Sequence, residues 1–176
     1  MKSVMISIQP KWIEKIANGE KTIEVRKTRP KIETPFKVYM YCTNGSMLRD
    51  FRNEKNFDLK NKFVLHSEKS NNVLASSIPF LNRKVVAEFT CTKIHKVDNN
   101  GSQFSINNDI ALTNMIGARS RLDFYDMKRY LGTKDGYAWE IESLKIYDKP
   151  KELEEFKNLK GEPIKNAYQS WGYINE

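Results

Sequence analysis

Residues 19–26 carry the side chains of this sequence that are best suited to chemistry. The segment reads GEKTIEVR and presents an ammonium at Lys21, a carboxylate at Glu24 and a guanidinium at Arg26. Glu24 and Arg26 are two positions apart in an alternating, strand-like stretch, so their side chains share a face. Such an arginine can form paired hydrogen bonds to a phosphate or a base edge. The same groups could instead form a salt-bridge network, and the sequence leaves both interpretations open.

Two elements must position this segment, and Gly19 separates them. Before it, Trp12, Ile13 and Ile16 recur at helical spacing after Pro10, which predicts a helix. A glycine is typical of the residue that follows a helix end, because it tolerates a positive φ. After it, the alternation predicts a strand with its apolar side chains on one face and its charged side chains on the other.

The segment resembles the G-x-K-x-x-E-x-R signature of the ASCH family, a branch of the PUA-like β-barrel superfamily. Residues 6–10 are similar to the first strand and turn of that family, and residues 135–139 to its closing part. The resemblance covers most of residues 4–42 and 84–147. The insertion and tail outside these ranges are similar to versions carried in bacteriophage and Firmicute genomes. The resemblance implies an α+β fold, a small PUA-like mixed β-barrel with covering helices.

The chain pattern predicts one domain over residues 1–176. A variable insertion is expected at about residues 43–82, which are polar and weakly periodic, and a C-terminal extension at about residues 150–176. Alternating or β-prone runs predict strands at residues 4–8, 21–26, 36–42, 84–97 and 137–147. Helical spacing predicts helices after Pro10, over most of residues 105–131 and at residues 151–159.

Composition narrows the class of protein. A hydrophobic fraction of 39% with 30% charged residues is typical of a globular chain, and the net charge of +8 favours anionic partners such as nucleic acid. A lysine-rich genome would give the same charge. Apolar runs are too short to span a bilayer and no signal-peptide pattern is present, so we expect a cytoplasmic protein without membrane contact.

The cysteines and histidines do not suggest a metal site or a disulfide. Cys42 and Cys91 lie in apolar, β-rich stretches and are expected to be buried free thiols. His66 and His95 are far apart, and the four ligands of a zinc site cannot be assembled around them. We therefore expect neither a metal nor a cofactor.

Four further residues are candidates for ligand binding. Ser7 could face a cleft or be a small strand residue. Tyr39 and Tyr41 share a strand face and could stack on a base or lie on an ordinary barrel surface. Tyr137 is a weaker candidate beside Trp139, which is expected in the core.

The resemblance implies a cleft that faces nucleic acid. The first functional hypothesis is therefore a domain that binds RNA or a modified nucleotide through Ser7, Tyr39, Tyr41, Tyr137 and the motif residues Lys21, Glu24 and Arg26. The second is an amidohydrolase acting on an acylated nucleoside such as N4-acetylcytidine. In that reading Glu24 would be the general base and Lys21 would stabilise the oxyanion. A small bacterial branch with that activity has a nucleophilic threonine where this chain has Glu24.

A third functional class is a protein-interaction module. It stays open because the insertion has no assigned role. The sequence predicts no oligomeric state.

Overall fold

The structure is a computed structural model that describes residues 2–52, 63–66 and 80–176. Its elements, in chain order, are β1 (Lys2–Ile8), α1 (Pro10–Ala17), β2 (Ile23–Arg26), β3 (Phe36–Cys42), β4 (Met47–Asp50), β5 (Phe63–His66), β6 (Val85–Asn99), β7 (Phe104–Ser105), α2 (Ile110–Ser120), α3 (Phe124–Leu131), β8 (Gly136–Lys151) and β9 (Trp171–Asn175). Strands dominate and three helices accompany them in this part of the chain, which confirms the predicted α+β class.

The chain divides into two compact units. Unit 1 comprises Met1–Gly19, Val38–Phe89 and Leu144–Glu176, and unit 2 comprises Glu20–Lys37 and Thr90–Ser143. Strands β6 and β8 therefore contribute residues to both units. The predicted motif falls entirely in unit 2 apart from its first glycine.

In unit 1, β1 runs parallel to β3 on one side and antiparallel to β9 on the other. β3 is in turn hydrogen-bonded to the start of β6. One group of buried residues forms a core cluster of this unit: Met5, Tyr39, Tyr41, Val85, Tyr147, Leu153, Ile164 and Ile174. The C-terminal segment is thus part of the core, because β9 and the residues before it close over β1 and β3.

In unit 2, β2 pairs antiparallel with β8, so that Glu24 lies opposite Trp139 and Arg26 opposite Tyr137. The apolar side chains of β2 face helices α2 and α3 in a second core cluster, which contains Ile23, Val25, Val97, Ile106, Ile116, Met127, Leu131 and Ala138. Trp139 is fully buried, as predicted, and Phe36 packs edge-on against it with ring centroids 5.9 Å apart.

Part of the predicted insertion has a defined structure. Strands β4 and β5 form a two-stranded antiparallel sheet. Asn18, at the end of α1, donates to the carbonyl oxygen of Phe63 at 2.9 Å and accepts from its amide at 3.2 Å. Leu48 and Phe63 are almost completely buried. Residues 53–62 and 67–79 lie outside the described residues, and the predicted single domain and insertion boundaries stay predictions.

The predicted helix at residues 151–159 is wrong. β8 continues to Lys151, and only a single 3-10 turn, Leu153–Glu155, follows. The chain becomes extended again at Phe156 (φ −97°, ψ 150°), whose ring packs against Tyr39 at 5.0 Å. Burial of these apolar side chains in unit 1 requires an extended path, so packing overrides the local helical pattern.

Within the described part of the chain, no helix is long and apolar enough to cross a membrane. The same residues contain no cluster of three metal-ligating His, Cys, Asp or Glu side chains.

Both cysteines are buried free thiols, as predicted. Burial raises the pKa of Cys42 and of Cys91 from 9.0 to about 12. We therefore predict that neither thiol of the folded protein reacts readily with a disulfide reagent at mildly alkaline pH, because the thiolate is the nucleophile. In denaturant both should react. Rapid titration of two thiols in the native protein would contradict this prediction.

Candidate functional site

The Lys21 side chain is buried in unit 2 and has two defined contacts. Only 2% of the residue is exposed. Its Nζ lies 3.3 Å from Glu24 Oε2 and donates to the backbone carbonyl oxygen of Ser120 at 2.7 Å. A buried ammonium must be paired and hydrogen-bonded to be tolerated, and these two contacts meet that requirement.

Glu24 is shared between two cations. Its Oε1 lies 3.0 Å from Arg26 Nε, and both side chains are more than 90% buried. The Arg26 side chain also hydrogen-bonds Tyr130, whose phenol has a pKa raised by burial. Lys21, Glu24 and Arg26 therefore form the salt-bridge network that the sequence leaves open as the alternative to a ligand site, and we call these three residues the ion cluster.

The ion cluster binds the C-terminal end of α2. The last carbonyls of a helix lack partners within the helix, and they attract cations. Ser120, whose carbonyl accepts from Lys21, is the last residue of α2. The Thr22 amide donates to the carbonyl oxygen of Arg119 at 3.0 Å. The motif thus supplies the polar groups that this helix end needs.

Two arginines at the end of α2 donate hydrogen bonds back to the motif. Arg119 Nε donates to Thr22 Oγ1 at 3.0 Å, and Arg121 Nε donates to the carbonyl oxygen of Glu20 at 2.9 Å. Arg121 adopts a left-handed conformation (φ 55°) that ends the helix. Side chains from both segments therefore fix residues 20–22 against α2.

Desolvation dominates the titration of Lys21. Burial lowers the pKa of its ammonium from 10.5, while the charge and hydrogen bond of Glu24 act in the opposite direction and the nearby Arg26 lowers it further. The amine is thus easier to deprotonate than an ordinary lysine.

A second polar pair in unit 2, His95 with Glu140, was not predicted from the sequence. His95 Nε2 lies 2.7 Å from Glu140 Oε1, and Glu140 Oε2 lies 3.8 Å from Arg119. His95 is 6% exposed. Alternation gave no signal for this pair, because Glu140 stands opposite Ile23, on the face of the β2–β8 pair that carries the apolar cluster. The pairing of His95 and Glu140, 45 residues apart, could not be read from spacing.

The other predicted ligand residues are in unit 1, apart from Tyr137. Ser7 Oγ donates to the carbonyl oxygen of Tyr168 at 2.5 Å, and Tyr39 donates to Glu176 Oε1 at 2.5 Å. Tyr41 is buried, which raises its pKa, and it hydrogen-bonds Arg83. Ser7 and Tyr39 therefore contact the C-terminal segment.

A basic loop, residues 27–35 between β2 and β3, follows the motif directly. Residues 29–34, together with Lys93 and Ile94, line an open cavity of about 510 Å³. Arg29, Lys31 and Lys93 bring three positive charges to it, against one carboxylate from Glu33. The Arg29 guanidinium lies 6.0 Å from the centroid of the Tyr137 ring. One residue after Arg26, the Lys27 ammonium lies 5.3 Å from the ring of Tyr130.

A smaller cavity of about 300 Å³ lies on the apolar side of β2. Val25 lines it, whereas Glu24 and Arg26 point to the other face of the strand. Neither this cavity nor the one beside the basic loop is lined by Lys21, Glu24 or Arg26. The ion cluster supports the surrounding structure, and its predicted contact with a ligand stays a prediction.

Solved structures of an ASCH protein from Zymomonas mobilis share this fold. One has a TM-score of 0.59 and 16% sequence identity, and the match covers 99% of this chain and 88% of that one. A substituted form of the same protein has a TM-score of 0.61 and 15% identity over 99% and 89% of the two chains. These identities show the fold alone. No protein-family model matches the sequence, and no curated protein matches it.

Removing the shared carboxylate should destabilise the fold. Glu24→Gln takes away the group that Lys21 and Arg26 both contact, and breaking such a buried pair costs about 3–5 kcal/mol. Urea denaturation should show this loss in the free energy of unfolding. The matched control is Glu33→Gln, which changes an exposed carboxylate and should cost at most about 0.5 kcal/mol. Equal losses in the two variants would refute the structural role of the cluster.

The lowered pKa of Lys21 predicts a pH-dependent stability. The unfolded chain keeps this proton up to about 10.5, whereas the folded chain releases it at lower pH. Because the unfolded state then binds more protons, folding becomes more favourable as pH rises through this window. The free energy of unfolding of the wild type minus that of Lys21→Met should therefore increase from neutral pH toward 10.5. A flat or falling difference would contradict the prediction.

Proposed function

Starting from the ASCH-type fold, we propose that this chain binds single-stranded RNA or a modified nucleotide. The phosphates of the bound nucleic acid contact the basic loop, and its bases stack on the neighbouring Tyr130 and Tyr137. The finer resemblance to phage and Firmicute versions, and a cytoplasmic location, belong to the same proposal.

The cavity beside the basic loop is the observation that carries this proposal. Its three cations are exposed to solvent and lie within one open depression. Phosphate groups are attracted by such a concentration of lysine and arginine, and the attraction weakens as salt is added. The loop is short and contains Pro30 and Pro35, which restrict its backbone.

Two tyrosine rings lie beside cations of the basic loop. Tyr137 lies under Arg29, and Tyr130 lies near Lys27. A positively charged groove with aromatic side chains is the usual arrangement for single-stranded nucleic acid, because every base has a flat face that can stack. Of the sequence-predicted ligand residues, Tyr137 is therefore the one that this proposal places in direct contact with RNA.

The ion cluster has a positioning role in this proposal. Arg26 is the last residue of β2, and the basic loop begins at the next residue. Its pairing with Glu24 and its hydrogen bond to Tyr130 fix both the start of the loop and one of the stacking rings. The predicted roles of Ser7 and Tyr39 would require the C-terminal segment to release them.

The hydrolase alternative has weaker support from this geometry. A general base needs a carboxylate oxygen directed at a water or a substrate. Both oxygens of Glu24 are instead within 3.3 Å of a cation. No specific observation favours the protein-interaction alternative.

Removal of the loop cations should weaken RNA binding far more than removal of the same charge elsewhere. The loop variant carries the substitutions Arg29→Ala, Lys31→Ala and Lys93→Ala. The control variant carries Lys149→Ala, Lys160→Ala and Lys165→Ala. Each variant removes three positive charges from the net charge of +8. All six residues are exposed. In fluorescence anisotropy with a single-stranded RNA, log K should fall as log salt rises. This fall should be less steep for the loop variant by about 2, since each phosphate contact contributes roughly 0.7 to the slope.

The control variant should change this slope little. Equal losses in both variants would mean that binding reflects only the net charge, and would overturn the assignment of the loop as the RNA site. Absence of RNA binding by the wild type would overturn the proposed function itself.

A further inference from the structure

We infer that the cavity on the apolar side of β2 is a second subsite, which takes one unstacked nucleobase. This inference rests on the proposed function and deepens it, because it assigns a place to a base as well as to phosphates. The subsite is distinct from the ion cluster and from the basic loop.

The cavity has the size and lining of a site for a small flat ring. It occupies about 300 Å³, near the lower end of the range for ligand pockets. Its walls come from α2, α3, β2, β6, β7 and the turns beside them. Slightly more than half of the lining residues are apolar, including Val25, Val97, Phe104, Ile106, Ile116 and Met127, and Asp123 adds one carboxylate. A charged group would be costly to bury there, whereas a neutral heteroaromatic ring would be accepted.

Two carboxamide side chains in the lining indicate which kind of ring the cavity binds. Gln103 and Asn114 both line the cavity and are both exposed to solvent. Carboxamides offer a donor and an acceptor side by side, and proteins use them to read the edges of bases. A purely apolar ligand, such as an acyl chain, would make no hydrogen bond to these groups, whereas the edge of a base can. They therefore favour a nucleobase.

The mouth of the cavity presents a stacking surface and a cation. Phe124 is 40% exposed, and its ring centroid lies 5.5 Å from that of Phe104. The Lys128 ammonium lies 5.8 Å from the Phe124 ring. Bases unstacked from RNA commonly lie on aromatic rings. A base resting on Phe124 would bring its phosphate near the Lys128 ammonium, which attracts it.

The helix that forms one wall leaves the cavity open at Gly117. A Cβ added to this residue would meet no atom within 4 Å. Glycine in a helix interior lowers stability relative to alanine. A larger residue would therefore improve the helix and fill the cavity, and this makes Gly117 a suitable position for a blocking substitution.

The subsite is connected to the motif through the end of α2. Ser120 lines the cavity, and its carbonyl oxygen accepts the hydrogen bond from Lys21. Val25 lines the cavity from the strand that carries Glu24 and Arg26 on its other face. The ion cluster therefore supports two walls of the subsite without lining it.

The test compares RNA with a polymer that lacks bases. Fluorescence anisotropy would measure the binding of a short single-stranded RNA and of an abasic ribose-phosphate chain of equal length. The proteins are the wild type, Gly117→Leu, and the control Ala118→Leu, which adds a similar side chain at the neighbouring, exposed position of α2. Thermal unfolding would verify that each variant is folded.

The wild type should bind RNA about tenfold more tightly than the abasic chain. Gly117→Leu should lose most of this preference while its affinity for the abasic chain is unchanged, because only stacking on Tyr130 and Tyr137 then distinguishes the two polymers. Ala118→Leu should behave as the wild type. If Gly117→Leu fails to fold, Gln103→Ala/Asn114→Ala replaces it, with the same loss expected. Adenosine 5′-monophosphate should displace RNA from the subsite more effectively than ribose 5-phosphate if free nucleotides also bind.

Three results would overturn the inference. The first is an equal affinity of the wild type for both polymers, and the second is an undiminished preference for RNA in the blocked variant. The second would leave the proposed function intact. The first would leave only its phosphate contacts with the basic loop, because stacking of bases on the tyrosines also requires a preference for RNA. The third is absence of binding to both polymers, which would overturn the proposed function together with this inference.

Discussion

A buried ammonium at the end of a helix is the interaction on which unit 2 depends. Lys21 is removed from water at a large cost in solvation, and Glu24 and the carbonyl oxygen of Ser120 are within reach to compensate for it. The same contacts satisfy the C-terminal end of α2, whose last carbonyls have no partner within the helix. The contacts of this one lysine therefore pair its own buried charge and also give a hydrogen-bond donor to the end of the helix.

The two candidate binding surfaces follow from this arrangement. On one face of β2, Glu24 holds Arg26, and the chain continues into the basic loop. On the other face, Val25 and the helix fixed by Lys21 form walls of the apolar cavity. The alternation of the four residues of β2 directs Glu24 and Arg26 to one face of the strand and Val25 to the cavity on the other. A ligand with phosphates and flat neutral rings matches that pair of surfaces.

The sequence predicted the local features well because their causes are local. Alternation placed Ile23 and Val25 on the core side and Glu24 and Arg26 on the other, and Gly19 has the positive φ (77°) that its position suggested. The salt-bridge network of the motif side chains was one of two interpretations that the sequence left open. Contacts between distant segments were not predicted, because no spacing encodes them. Thus the dependence of Lys21 on Ser120, and the pairing of His95 with Glu140, required the structure. Tail residues such as Phe156 pack into unit 1 for the same reason, against a local helical pattern.

The most direct measurement of the central claim is an NMR titration of the protein with a short single-stranded RNA, with arginine and tyrosine side chains isotopically labelled. The account predicts that the Arg29 guanidinium and the Tyr137 ring change their chemical shifts together and saturate at the same RNA concentration, because they lie together beside the basic loop. Tyr173, in unit 1, should not change with them. Binding of RNA without changes at Arg29 and Tyr137, or with changes of equal size at Tyr173, would contradict the account.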